Sequence, residues 1–104
     1  MILNIKDLKP INDVALRKPV DIYIGDLLSC VMANIEPESL WITTQTNMNV
    51  MAIAHLHELV GIIFVEGMEP DQTVISKANE CEVSLFTYPH HAFQLALELK
   101  DYVL

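Results

Sequence analysis

Five polar residues in a row, Thr43, Thr44, Gln45, Thr46 and Asn47, follow Trp41 and Ile42 in the stretch WITTQTN. Three hydroxyls and two carboxamides at this density suit hydrogen bonding to a small polar ligand. The same residues also fit a plainer role. Thr43 and Thr44 end a strand, and Asn47 caps the helix that follows by accepting from its free first-turn amides. Both readings stand on the sequence alone.

The other groups that could carry chemistry are sparse. Gly25, Gly61 and Gly67 are the only glycines, and they spell neither GxGxxG nor GxxxxGK[ST]. A dinucleotide-binding turn and a P-loop are therefore excluded. His55 and His57 are two apart, so a helix turns them to different faces. His90 and His91 sit together at a strand-to-helix junction, but no neighbouring ligand spacing matches a metal motif. Cys30 lies among apolar neighbours in mid-helix, as an inert core thiol would. Ser29 has no His or Lys nearby in sequence. Met32, Met48, Met51 and Met68 read as gap-filling residues of a core or interface. The chain therefore reads as a non-enzyme with no metal and no cofactor.

The elements that must position these groups alternate in period. VDIYI (residues 20–24), LWITT (40–44), GIIFVEG (61–67) and VSLFTY (83–88) read as strands. GIIFVEG, continuously apolar, fits a strand buried on both faces. Helices are expected over GDLLSCVMANI (25–35), NVMAIAHLHEL (49–59), EPDQTVISKANEC (69–81) and HAFQLALELKDYV (91–103). Ile24, Leu28, Val31 and Ile35 form one face of the first. The second is apolar nearly all round, as expected between a sheet and another layer or in a subunit interface. Pro70 is expected in the first turn of the third, with Asp71 near its positive end. The last should bury Ala92, Ala96, Leu99 and Val103, with Phe93 and Leu97 alongside.

Strand–helix repeated four times implies an α/β domain of two or three layers on a mostly parallel sheet, with right-handed crossovers. In such a sheet, ligands collect beyond the carboxyl ends of the strands. The expected site therefore comprises Gly25 and Asp26 after the first strand, Thr44, Gln45, Thr46 and Asn47 after the second, and Gly67 after the third. Glu66 and the stretch from Tyr88 to His91 belong to the same edge.

At 104 residues, one domain spanning 1–104 is expected; residues 1–19, with Pro10 and Pro19, allow only short elements. Fourteen acids against six scattered bases give a net charge of −8, which argues against a nucleic-acid partner. Two cysteines without a CxxC fit reduced thiols in a cytoplasmic protein. The N-terminus does not resemble a signal peptide, and the apolar stretch after Val50 is too broken by His55, His57 and Glu58 to span a membrane.

YIGDLLSCVMAN (23–34), LWITTQTNMNVMAIAHLHELVGIIFVEGMEPD (40–71) and ISKANECEVSLFTYPHHAFQLA (75–96) together resemble the DRTGG-domain family, over about three-quarters of the chain. The resemblance implies a domain similar to the N-terminal domain of HPr kinase/phosphorylase and, more remotely, of Mur ligases. It also implies a regulatory or ligand-binding module without chemistry of its own. The chain departs from the family where Asp21 and Ile22 occupy the positions of its paired glycines. The segment Gln45, Thr46, Asn47 is retained. The expectation is a regulatory module that self-associates as a homodimer and takes a nucleotide or another small polar effector. A purely structural interaction domain without a ligand is the alternative, with an enzyme subunit behind it.

Overall fold

The computed structural model describes residues 1–103. Its elements are β1 (Lys9–Pro10), β2 (Ile22–Ile24), α1 (Leu28–Asn34), β3 (Leu40–Thr43), α2 (Asn49–Leu56), β4 (Gly61–Phe64), α3 (Gln72–Glu80), β5 (Ser84–Thr87) and α4 (Ala92–Val103). The sheet runs β1-β5-β4-β3-β2. Strands β2 to β5 are parallel, in registers that set Ile22 beside Leu40, Leu40 beside Gly61 and Gly61 beside Ser84. The mostly parallel α/β architecture expected from the sequence is the one observed.

Strands β2 to β5 lie side by side in chain order. Three right-handed crossovers in one direction put all three connecting helices on the same face. The packing agrees. Val31 of α1, Val50 and Ile53 of α2, and Val74 and Ala78 of α3 share one core with Trp41, Ile62, Phe64 and Leu85. The opposite face of the sheet, with Leu40, Ile42 and Ile63, packs under Leu95 and Leu99 of α4 and under Ile5 and Leu16 of the N-terminal segment. The domain is thus three layers deep. All four residues of β4, the central strand, are buried. Period-2 alternation sends Ile62 and Phe64 one way and Ile63 the other.

The N-terminal segment supplies what its prolines concealed. Lys9 and Pro10 pair antiparallel with Thr87 and Phe86, and the Ile11 amide donates to the Leu85 carbonyl at 2.8 Å. Asn12 extends the pairing with its side chain: Oδ1 accepts from the Leu85 amide at 2.9 Å and Nδ2 donates to the Val83 carbonyl at 2.9 Å. A carboxamide carries a donor and an acceptor side by side, so it substitutes for a peptide unit.

Several local expectations are corrected. Helix α1 starts at Leu28 rather than Gly25. Its seven residues bury Val31, followed by Ile35 one turn on, which leaves Cys30 on the solvent side and not in the core. In α3, Pro70 lies before the helix. Asp71 itself is the cap, its carboxylate accepting from the Thr73 and Val74 amides. In α4 the buried stripe is Leu95 and Leu99; Phe93 and Leu97 are exposed at 74% and 53%. The side chain of Val103, expected on the buried stripe, lies outside the described residues. In α2 the apolar character is mostly absorbed by the core through Val50, Met51, Ile53 and Ala54, while Leu56 faces solvent.

Candidate functional site

The carboxyl ends of β2 and β3 meet through one carboxylate. Gly25 follows β2 directly; its amide donates to the Ile42 carbonyl at 3.2 Å, and its carbonyl accepts from the Trp41 indole N–H at 2.9 Å. These two bonds hold the loop against β3 and present Asp26 to the end of that strand. Asp26 Oδ1 then accepts from the Thr43 hydroxyl at 2.8 Å and from the Thr44 amide at 2.7 Å. Thr43 Oγ1 in turn accepts from the Gln45 amide at 3.1 Å. Thr43 is buried on the same face as Trp41, so the network rests on the core.

Partial burial pushes the Asp26 carboxyl up, but the bonds from Thr44 and Thr43 outweigh it and hold the group below the ordinary aspartate value. Asp26 is therefore ionised at neutral pH. Asn47 continues the chain of contacts. The N-cap of α2 is Met48 rather than the expected Asn47. Asn47, one residue upstream of the cap, accepts from the Asn49 amide through Oδ1 at 2.9 Å, and its amide group reaches Gln45 Oε1 at 3.4 Å.

The third loop closes the other side. Val65 to Met68 is a tight turn in which the Met68 amide donates to the Val65 carbonyl at 3.2 Å. Both central residues are left-handed, Glu66 at φ 59° and Gly67 at φ 74°, as in a type I′ turn. A glycine costs little there; a glutamate costs about 1–2 kcal/mol. This loop is tied to the fourth: the Glu66 amide donates to the His90 carbonyl at 2.9 Å and the Gly67 amide to the Tyr88 carbonyl at 3.0 Å. His90 Nε2 in turn meets Asp7 Oδ2 at 2.9 Å, with the Tyr88 ring edge-on to the imidazole at 5.3 Å.

Between these loops lies an open cleft of 540 Å³ lined by Asp26, Thr44, Gln45, Thr46, Asn47, Glu66 and Met68. Five of the expected site residues line it. Gly25 and Gly67 do not; they shape its two rims from behind. Thr43, which holds Asp26, and Met68, which gives the cleft an apolar wall, were not expected as site residues. The two-residue period of β3 places Thr43 beside Trp41 and could have marked it as buried. Nothing in the sequence marks Met68. The wall holds two carboxylates, Asp26 and Glu66, and no lysine or arginine. Thr46 and Glu66 make no side-chain hydrogen bond among the described residues.

A larger hollow of 790 Å³ opens at the opposite end of the sheet, where α2 and α3 finish, and is lined by Arg17, His55, Glu58, Cys81 and Glu82 among others. Size alone does not make it the site. It faces helix carboxyl ends, whereas the smaller cleft lies where α/β sheets place their ligands. His55 Nδ1 lies 3.7 Å from Cys81 Sγ there. Among the described residues, no three His, Cys, Asp or Glu side chains gather as a metal set, and no helix is long and apolar enough to cross a membrane.

No protein-family model matches the chain, and no curated protein matches it in sequence. Among solved structures it is similar to the crystal structure of the CBS and DRTGG domains of the regulatory region of Clostridium perfringens pyrophosphatase, complexed with the activator diadenosine tetraphosphate. The TM-score is 0.60 at 15% identity, over 73% of this chain and 34% of that one. The class defined by fold and comparison is thus a DRTGG-like α/β domain. At this identity the likeness is one of fold, to a region that is regulatory rather than catalytic in the protein that carries it.

Proposed function

We propose that the chain is a non-catalytic regulatory module whose cleft beyond β2 and β3 takes a small polar effector. The observation that carries this is the Asp26–Thr43–Thr44–Gln45 network, which holds polar groups in fixed places around an open cleft. Fixed groups lose little freedom when a ligand arrives, so weak individual bonds can sum to specific binding. The pyrophosphatase region similar in fold was crystallised with a nucleotide activator, which makes nucleotides the first compounds to try.

The cleft also restricts how a nucleotide enters. Two carboxylates and no cation repel phosphates. A base or ribose, with donors for Asp26 and Glu66, fits inside, and the phosphates stay in solvent. The same wall accepts an uncharged nucleoside or an amine. We further infer that the module acts in the cytoplasm, consistent with two free cysteines, and that it self-associates.

Thermal unfolding against adenosine, uridine, cyclic nucleotides, ATP and diadenosine tetraphosphate tests the reading. A binder raises the midpoint progressively with concentration, as linkage requires. Gln45→Ala and Asn47→Ala should each weaken that binding about tenfold, the loss of roughly 1.4 kcal/mol expected for one or two polar contacts. Flat curves across the whole set leave the chain as an interaction domain without a ligand.

A further inference from the structure

The larger hollow, at the amino end of the sheet, differs from the cleft in what surrounds it. Ala54 and Leu59 back it, and Leu56, exposed at 65%, stands beside them. Glu58, Glu80 and Glu82 line it as well. Helices α2 and α3 both end there, and helix carboxyl ends carry partial negative charge of their own. Lys77 reaches Glu80 at 3.4 Å, and Arg17, the one cation of the lining, reaches Glu38 at 3.5 Å. Among the described residues, neither Glu58 nor Glu82 forms an ion pair.

Local structure does not account for those two glutamates. Each occupies a left-handed position just after its helix, at φ 51° and 58°, where glycine fits better. Each also sets a carboxylate against the negative end of that helix. What they supply is unpaired negative charge around one apolar-backed hollow. We propose that this hollow docks a basic segment of a partner protein, its Arg or Lys side chains meeting Glu58 and Glu82 and an aliphatic side chain packing on Leu56.

Charge complementarity selects this occupant. The chain carries −8 overall, so its field draws a basic segment in and holds an acidic one off. A second copy brings −8 of its own to an acidic rim, so this hollow is not where two copies meet. A bare metal ion fits less well, because a hollow of 790 Å³ far exceeds its size and no three donors gather as a metal set among the described residues. Leu56 adds a reward that a purely polar cation does not collect. The surface lies at the other end of β3 and β4 from the cleft and stands independently of it. A regulatory module can thereby hold a partner at one end of the sheet while the other end stays open.

Fluorescence anisotropy of a labelled short peptide of Arg and Leu, titrated with the full chain at low salt, is the test. Saturable binding is expected, weakening severalfold as NaCl rises. Glu58→Gln with Glu82→Gln should weaken it about tenfold, the worth of two exposed ion pairs. Leu56→Gln should weaken it severalfold. Glu98→Gln with Asp101→Asn removes the same charge from α4, on the opposite face of the sheet, and should change little. Circular dichroism confirms that each variant is folded, and where the double glutamate variant is not, Leu56→Gln decides. No binding at low salt overturns the proposal. So does a glutamate variant that binds as the parent does, or an α4 variant that loses as much, since the peptide then answers to overall charge and not to this hollow. None of these outcomes bears on the cleft, which Gln45→Ala and Asn47→Ala test separately.

Discussion

At the carboxyl end of the sheet, Asp26, Thr43 and Asn47 give loop amides a side-chain partner. At the amino end, each turn from helix to strand passes instead through a left-handed glutamate: Glu38 before β3, Glu58 before β4 and Glu82 before β5, at φ 62°, 51° and 58°. Glu58 and Glu82 follow α2 and α3 in Schellman-type closures, with Leu59 donating to Ala54 and Val83 to Ala78, both at 2.9 Å. That position favours glycine, and a carboxylate there also opposes the negative end of the helix dipole. The same end buries Ser39 with its hydroxyl unpartnered in the protein. The carboxyl end carries one left-handed glutamate, Glu66, and the amino end three, while the side chains that serve loop amides gather at the carboxyl end. A ligand meeting the carboxyl end finds groups already in place; the amino end is where stability can be added without touching the cleft.

Substitutions at each end test this contrast. Asp26→Ala leaves the buried Thr43 hydroxyl and the Thr44 amide without their acceptor, and should cost about 2 kcal/mol, read as a lower urea midpoint. Ser39→Ala removes an unsatisfied buried hydroxyl and should stabilise by roughly 1 kcal/mol. If it destabilises, an ordered water serves Ser39 and the amino end is better satisfied than described. Glu58→Gly and Glu82→Gly should each raise stability by roughly 0.5–1 kcal/mol, the left-handed strain relieved less the entropy that glycine adds to the unfolded chain. A loss at either position would show that the glutamate makes a compensating contact.

The smallest effect is a pH dependence. The folded Asp26 carboxyl titrates below its ordinary value of 3.8. Its contribution is therefore fully present above that value and fades as pH falls through the lowered one. The stability difference between the parent and Asp26→Asn should be constant from pH 7 to 5 and change only on further acidification. A change near pH 6 would implicate another group.

Much of this organisation was legible in the residues. GIIFVEG announced a central strand because it is apolar on both faces, and four strand–helix units left little choice of topology. Helix α2 ends at Leu56, short of the expected Leu59, for a physical reason: Glu58 is held left-handed by tertiary structure, and nothing local distinguishes it from a helical glutamate. The apolar neighbours of Cys30 point to a core position, yet Val31 and Ile35 alone define the buried stripe of so short a helix. Strand β1 is not legible in the sequence because Lys9 and Pro10 have little strand character and pair only with β5. The polar run from Thr44 to Asn47 was readable by composition. The dependence of that run on Thr43 and Asp26 was not, since it joins residues 17 apart in the chain.

Trp41 gives the domain an optical probe of its own. It is the single tryptophan, fully buried, and its indole donates to the carbonyl of Gly25, the residue immediately before Asp26. Emission from so dry an environment should lie toward short wavelengths and should respond to a change at this hydrogen bond. Whatever displaces the Gly25–Asp26 loop alters the fluorescence of the unlabelled protein. A ligand of the proposed cleft that shifts this loop should therefore register in a fluorescence titration.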